Sequence, residues 1–208
     1  MPAVLVIGLT GGVATGKSTV ASYLQELGAI VLDADVYARE AVRPGEPALE
    51  EIRRAFGDEV ILPDGSLDRA RLARIVFSDE RRRKELEAIV HPRVRSRMAA
   101  ELADWRKRGT ARVVVCDIPL LFETGIGREA FHRILVVFAP REVQKQRLMR
   151  RNGLSAEEAE MRIRAQIPTE EKVKQADDVV DNSGDLADTY RQVERIWKEW
   201  QRLCASPS

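Results

Sequence analysis

Cysteine and histidine are scarce in this chain of 208 residues, which carries two of each. Cys116 lies in an apolar run and Cys204 near the C-terminus, and neither has a partner at metal-ligand spacing. That argues against a zinc site and a disulfide scaffold, and for a reducing compartment. With no histidine or cysteine placed to complete a triad, nucleophilic hydrolysis has no support. Apolar runs of bilayer-spanning length are missing too. The first residues pass straight into a strand-like run without a basic stretch ahead of it, so a bacterial-type cytosolic location is the expectation. Charge of one sign is not in excess: 34 Lys and Arg face 33 Asp and Glu, for a formal net charge of +1. No general attraction to nucleic acid or membrane is expected, and any anion site must be local. The sequence contains no repeats, low-complexity tracts or interdomain linker. At 44% hydrophobic content it is an ordinary globular chain, long enough for one well-buried core with an appended subdomain.

The most specific stretch is GLTGGVATGKST, residues 8–19. An apolar run of strand length, residues 4–9, precedes it, and Val20, Tyr23, Leu24 and Leu27 follow at helical spacing, so it reads as strand, loop, helix. Gly11 and Gly16 let the backbone amides turn inward, and the helix start adds unsatisfied N–H groups and a positive dipole end. Such a cup suits phosphate oxygens. Lys17 is placed to reach the β- and γ-phosphates of a nucleoside triphosphate, and the Ser18 hydroxyl to take a position on Mg²⁺. The motif fixes a ligand class shared by kinases, ATPases, GTPase switches and motors.

Further strand-like runs at residues 29–32, 113–116, 134–138 and 178–180 alternate with helical patterns, which predicts an α/β fold with a parallel five-stranded sheet flanked by helices. Ligands in such sheets bind beyond the carboxyl ends of the strands, which directs attention to the glycine loop, Asp33 to Asp35, Asp117, and Asp181 to Asn182. Residues 36–111 offer no convincing strand and far exceed the ~10–12 residues of a simple crossover. Three amphipathic patterns there, broken at Pro63-Asp64-Gly65 and His91-Pro92, predict a helical insertion. His91 is read as ending one helix and capping the next, with Pro92 at the first helical position. Residues 142–175 read as two or three polar, Arg-rich helices broken at Gly153 and Pro168, with a capping box from Ser155 and Glu158. Sparse apolar content there suggests a lid. A final helix over residues 186–203 carries Tyr190, Val193, Trp197 and Trp200 on one stripe.

Asp117 follows VVVC as a Walker-B-like carboxylate, able to bind Mg²⁺ directly or through water; capping of the next turn is the structural alternative. Asp33 is the candidate catalytic base, accepting a hydrogen bond from an alcohol that attacks the γ-phosphate. Asp35 is read mainly as the cap of a helix beginning at Val36. Arg147, Arg150 and Arg151 stand at i, i+3 and i+4, and guanidinium suits bidentate phosphate contact and stacking on a purine. Arg147 and Arg151 are the stronger candidates, with a solvated face the alternative for Arg150. The run at residues 81–84 is read as a solvated helix face.

Six blocks, GLTGGVATGKSTV, LDADVYAREAV, LEAIVHPRVR, DIPLLFE, RILVV and ADDVVDNSG, together resemble the dephospho-coenzyme A kinase family in its own order over nearly the whole chain. That resemblance implies ATP-dependent phosphorylation of the ribose 3′-hydroxyl of dephospho-CoA, with Mg²⁺, at the last step of coenzyme A synthesis. It implies a nucleoside-kinase-like P-loop NTPase fold: core residues 1–35, 112–141 and 176–208, a helical CoA subdomain about 36–111, and a lid about 142–175. It assigns Gly11, Gly12, Val13, Ala14, Thr15, Gly16, Lys17, Ser18 and Thr19 to the ATP phosphates. Asp33 would face the acceptor hydroxyl, Arg147 would approach ATP, Asn182 would lie near adenine, and DIPLLFE would shape the acceptor pocket. Partners are then small molecules, ATP and dephospho-CoA, without nucleic acid or membrane. Two departures stand out: Val13-Ala14-Thr15 replaces a more usual Ile-Gly-Ser, and Phe138 stands where an aspartate is common. Among rivals, a GTPase switch lacks its guanine reader, since Asn182-Ser183-Gly184-Asp185 has no lysine. Another small-metabolite kinase shares the loop, acid and arginines, and only the inserted helices separate it. An Arg-rich nucleic-acid surface is disfavoured by the balanced charge.

Overall fold

The computed structural model describes residues 4–110 and 112–205. Strands β1 (Leu5–Gly11), β2 (Ile30–Asp33), β3 (Val113–Asp117), β4 (Arg133–Phe138) and β5 (Asp178–Asp181) form one parallel sheet in the order β2-β3-β1-β4-β5. The helices are α1 (Lys17–Glu26), α2 (Ala34–Ala41), α3 (Pro47–Phe56), α4 (Arg69–Ser78), α5 (Glu80–Arg108), α6 (Arg141–Asn152), α7 (Ala156–Arg164), α8 (Thr169–Val173) and α9 (Leu186–Ala205). The chain divides into two units, one running to Asp33 and resuming at Asp104, the other Ala34–Ala103.

In the first unit β1 is central and buried at every position, as a parallel strand covered on both faces must be. Leu5, Ile7, Leu9, Val113, Val115, Leu135, Val137 and Val180 pack on Val20 and Leu24 of α1 and on Val193, Ile196, Trp197 and Trp200 of α9. Tyr23 and Tyr190 stack with ring centroids 3.9 Å apart. On the opposite face Val6, Val114, Cys116, Ile134 and Val136 are buried. There a Cβ on Gly8 would stand 2.9 Å from Leu121 Cδ1 and 3.1 Å from the Phe131 ring, so any larger residue would force those side chains to shift. The outer strand β5 is tied to α9 through Asp178, which takes two bonds from Arg133 at 2.8 and 2.9 Å and one from the Trp200 indole at 2.9 Å. The Arg-rich stretch forms α6, α7 and α8, with Gly153 closing α6 at φ 64° and Ser155 and Glu158 forming the capping box of α7.

The second unit has its own core: Val42, Ala48, Ile52, Phe56, Val60 and Leu72. Among the described residues of the inserted stretch, the only strand-like pairing is an isolated antiparallel bridge between Ile61 and Leu67, closing the turn at Pro63-Asp64-Gly65. Two readings of the sequence are corrected here. α2 begins at Ala34, directly after β2, so Asp35 lies in its first turn, where its charge complements the helix dipole, rather than at its cap. His91-Pro92 does not separate two helices, because α5 runs through it with Pro92 in its interior. Proline removes the N–H that the Ala88 carbonyl would have accepted. Beside it Arg93 reaches back to the Ile89 carbonyl at 2.6 Å and across to Glu51 at 2.7 Å, which secures the helix at the lesion. Among the described residues no helix is long and apolar enough to cross a membrane.

Candidate active site

The loop between β1 and α1 turns on left-handed backbone at Ala14 (φ 58°) and Gly16 (φ 92°). Thr15, fully buried, folds inward and donates its hydroxyl to the Gly12 carbonyl at 2.9 Å. Two of the glycines are compelled by their neighbours. A Cβ on Gly11 would stand 2.7 Å from the Thr15 hydroxyl and the Val137 carbonyl, and one on Gly16 would fall on the Asn182 amide.

The outer side of the loop is held by side chains from distant elements. Arg147 donates to the carbonyls of Thr15 and Ala14 at 3.2 and 3.4 Å and to the Asn182 carbonyl at 2.7 Å. Asn182 Nδ2 donates to the Thr15 carbonyl at 2.7 Å, and its Oδ1 accepts from the Thr189 hydroxyl at 2.8 Å. A peptide's C=O and N–H point opposite ways, so drawing the Thr15 carbonyl outward aims the Gly16 N–H inward. The N–H groups of Lys17 and Ser18, at the start of α1, have no intrahelical acceptors and extend that donor set.

At the carboxyl ends of the strands, Asp33 on β2 stands in register with Asp117 on β3, and Asp117 with Leu9 on β1. Asp117 is buried and forms an ion pair with Lys17. Lys17 thus projects from the first residue of α1 over the sheet edge that carries both carboxylates. Ser18 is exposed, and Thr19 is half-buried. Cys116, the residue before Asp117, is no competing nucleophile, since burial pushes its thiol up to about 12. No cluster of three or more His, Cys, Asp or Glu able to hold a metal occurs among the described residues.

The structure brings together Lys17, Asp117, Arg147, Asn182 and the loop, with Asp33 at the neighbouring strand end. It does not bring Arg151 to them. That side chain is exposed and donates to Asn152 at 3.0 Å, beside an exposed Arg150. A larger set of supports escaped the sequence reading. Gln166 Oε1 accepts from the Val13 N–H at 2.9 Å. The Thr169 hydroxyl occupies the space a Cβ on Gly12 would need, and Gln144 donates to it at 3.2 Å. Thr189 had a signal: it shares the buried stripe of α9 with Val193, Ile196 and Trp200, and a polar side chain on such a stripe needs a partner. Gln144 shares one with Leu148 on α6 in the same way.

The profile of the dephospho-CoA kinase family matches residues 5–188. The chain belongs to that family. It is 50% identical over 199 residues to the dephospho-CoA kinase of Geobacillus kaustophilus, covering 96% of this chain and 98% of that one. Among solved structures, TT1252 from Thermus thermophilus is 45% identical with a TM-score of 0.80, over 94% of this chain and 97% of that one. The dephospho-CoA kinase from Campylobacter jejuni is 30% identical with a TM-score of 0.72, over 97% and 98%. As a member of this kinase family the chain is a phosphotransferase; within DIPLLFE, Asp117 ends β3 and Leu121 packs against Gly8.

Proposed function

We propose that this protein transfers the γ-phosphoryl group of ATP to the ribose 3′-hydroxyl of dephospho-CoA, giving CoA and ADP, the final step of coenzyme A synthesis. The observation that carries the reading is the loop whose carbonyls are drawn outward by Arg147 and Asn182 while Lys17 stands over the Asp33–Asp117 edge. Phosphoryl transfer runs through a loose transition state in which positioning and charge stabilisation outweigh base strength. The N–H groups of Gly16, Lys17 and Ser18 grip phosphate oxygens, and the Lys17 ammonium exchanges its bond to Asp117 for the transferring phosphate. Asp33 accepts the hydrogen bond of the attacking hydroxyl, orients it in line and takes its proton. Arg147, already at the loop, neutralises charge on the phosphates; Arg151, exposed one turn further along α6, is the second arginine assigned to ATP. Asn182 serves the nucleotide through the loop it holds, since both ends of its side chain are engaged.

Ser18 and Asp117 would hold Mg²⁺, since one hydroxyl and one buried carboxylate are the hard oxygen donors that suit it. When bound, the ion would supply charge neutralisation on the phosphates. The working partners are the two small-molecule substrates, in the cytoplasm. Mg-ATP and dephospho-CoA incubated with the purified protein should yield CoA and ADP in equal amounts by chromatography and mass, with little ADP when the acceptor is left out. ATP binding without CoA would overturn the acceptor. Asp33→Asn should keep ATP binding and lose transfer by at least ~100-fold, and turnover near the parent rate would remove Asp33 from its role.

A further inference from the structure

Lys172 is completely buried, and its ammonium lies 2.7 Å from Glu123 Oε1, off the direction of a good hydrogen bond. The same carboxylate oxygen accepts the Ile167 N–H at 3.2 Å. Glu123 closes the DIPLLFE motif, and Ile167 and Lys172 lie on the short segment joining α7 to α8 and on α8 itself. That segment touches the phosphate loop at two further points: Gln166 at the Val13 N–H, and Thr169 over Gly12. The peptide between Gln166 and Ile167 is therefore held on one side by Glu123 and delivers its neighbouring side chain to Val13 on the other.

We propose that Glu123 and Lys172 are a positioning pair: they clamp residues 166–172, and through Gln166 and Thr169 the clamp sets the outer half of the phosphate loop. Burial of an ammonium is tolerated only beside an opposite charge, so the pair fixes where α8 sits far more sharply than apolar packing would. Gln166 acts on the Val13 amide, at the far end of the loop from the helix-start donors of residues 16–18, so it shapes the cup instead of filling it. The inference rests on the reading that the loop binds ATP phosphates, and it requires no particular acceptor.

The test measures binding of a non-hydrolysable ATP analogue by calorimetry, together with KM for ATP and for dephospho-CoA, in Gln166→Ala, Lys172→Met, Glu123→Gln and the paired variants. Failure of the unaltered protein to bind the analogue would count against the loop reading itself. Given binding, Gln166→Ala should weaken the analogue about tenfold, the equivalent of one lost hydrogen bond of about 1.4 kcal/mol, and raise KM for ATP alike while leaving KM for dephospho-CoA near the parent value. Lys172→Met should do the same and add little when combined with Gln166→Ala, because both act through one contact. Glu123→Gln with Lys172→Met should bind better than Glu123→Gln alone, since the buried ammonium is no longer left without its carboxylate and the side-chain amide oxygen introduced at position 123 still accepts from Ile167. A merely structural pair would lower thermal stability with analogue affinity unchanged. That result, tighter binding in Gln166→Ala, or independent multiplication of the two effects would overturn the proposal. If Lys172→Met does not fold, the unaltered or altered affinity of Gln166→Ala decides alone.

Discussion

At Ala14 the backbone takes a left-handed turn at φ 58°, the only positive φ among the described non-glycine residues. An L side chain there is strained by about 1–2 kcal/mol, and the loop accepts it because Arg147 and Asn182 hold the adjoining carbonyls. Ala14→Val should therefore destabilise the protein by about 1–3 kcal/mol and weaken ATP binding. Ala14→Gly should stay within about 1 kcal/mol of the parent, relief of strain being offset by a freer unfolded chain. Urea titration with and without an ATP analogue checks both. His132 is a second residue whose backbone partner matters. Its Nδ1 accepts from the fully buried Val6 N–H at 2.8 Å, which requires that nitrogen unprotonated. Burial, helped by the Arg106 charge, holds His132 below its ordinary value. The unfolded chain then takes up the proton first, so stability should fall as pH drops below about 6.5 and level off once the folded form is protonated too. His132→Asn, which keeps an acceptor without titrating, should flatten that part of the profile in urea titrations between pH 8 and pH 5.

At the scale of elements, α5 is the instructive case. Apolar spacing on either side of His91-Pro92 was legible as helix, yet proline made a break the natural reading. The helix continues because Arg93 bonds the Ile89 carbonyl and Glu51, an arrangement that depends on α3 lying within reach in the same unit. Pro92→Ala restores the missing N–H and should stabilise the protein by about 1–3 kcal/mol, read as a raised midpoint in chemical denaturation. No gain would mean that the helix already accommodates Pro92 without loss. The strands were found within a residue or two from their apolar runs, since a parallel strand buried on both faces has few other readings. The start of α2 was misplaced because nothing local marks where a strand hands over directly to a helix.

For the whole first unit, stability depends on how the outer strand β5 is fastened. Asp178 is a buried carboxylate that joins β4, β5 and α9 through Arg133 and Trp200. Trp200→Phe keeps most of the apolar contact but removes the indole donor, and should cost about 1–3 kcal/mol, with hydrogen exchange rising first along β5 and α9. Exchange rising uniformly instead would show that the tie is not local. The β5 end also presents Asn182 to the loop, so loosening it should weaken ATP-analogue binding in the same variant.

Sequence alone determined the phosphate loop, the alternation of strands and helices, the pair of acids at the strand ends and the family, because each is written in contiguous spacing. Local periodicity and the glycine-lysine-serine order need no distant partner to be read. Tertiary structure alone decided which side chains support the loop: Asn182 and Thr189, Gln166, Thr169 and the buried Lys172 meet it or its neighbours from remote parts of the chain. Arg147 and Arg151 share a helix face in the sequence, yet Arg147 alone reaches the loop. Hydrogen bonds between remote residues leave no periodic trace, so they become visible only when the folded sheet sets their elements side by side.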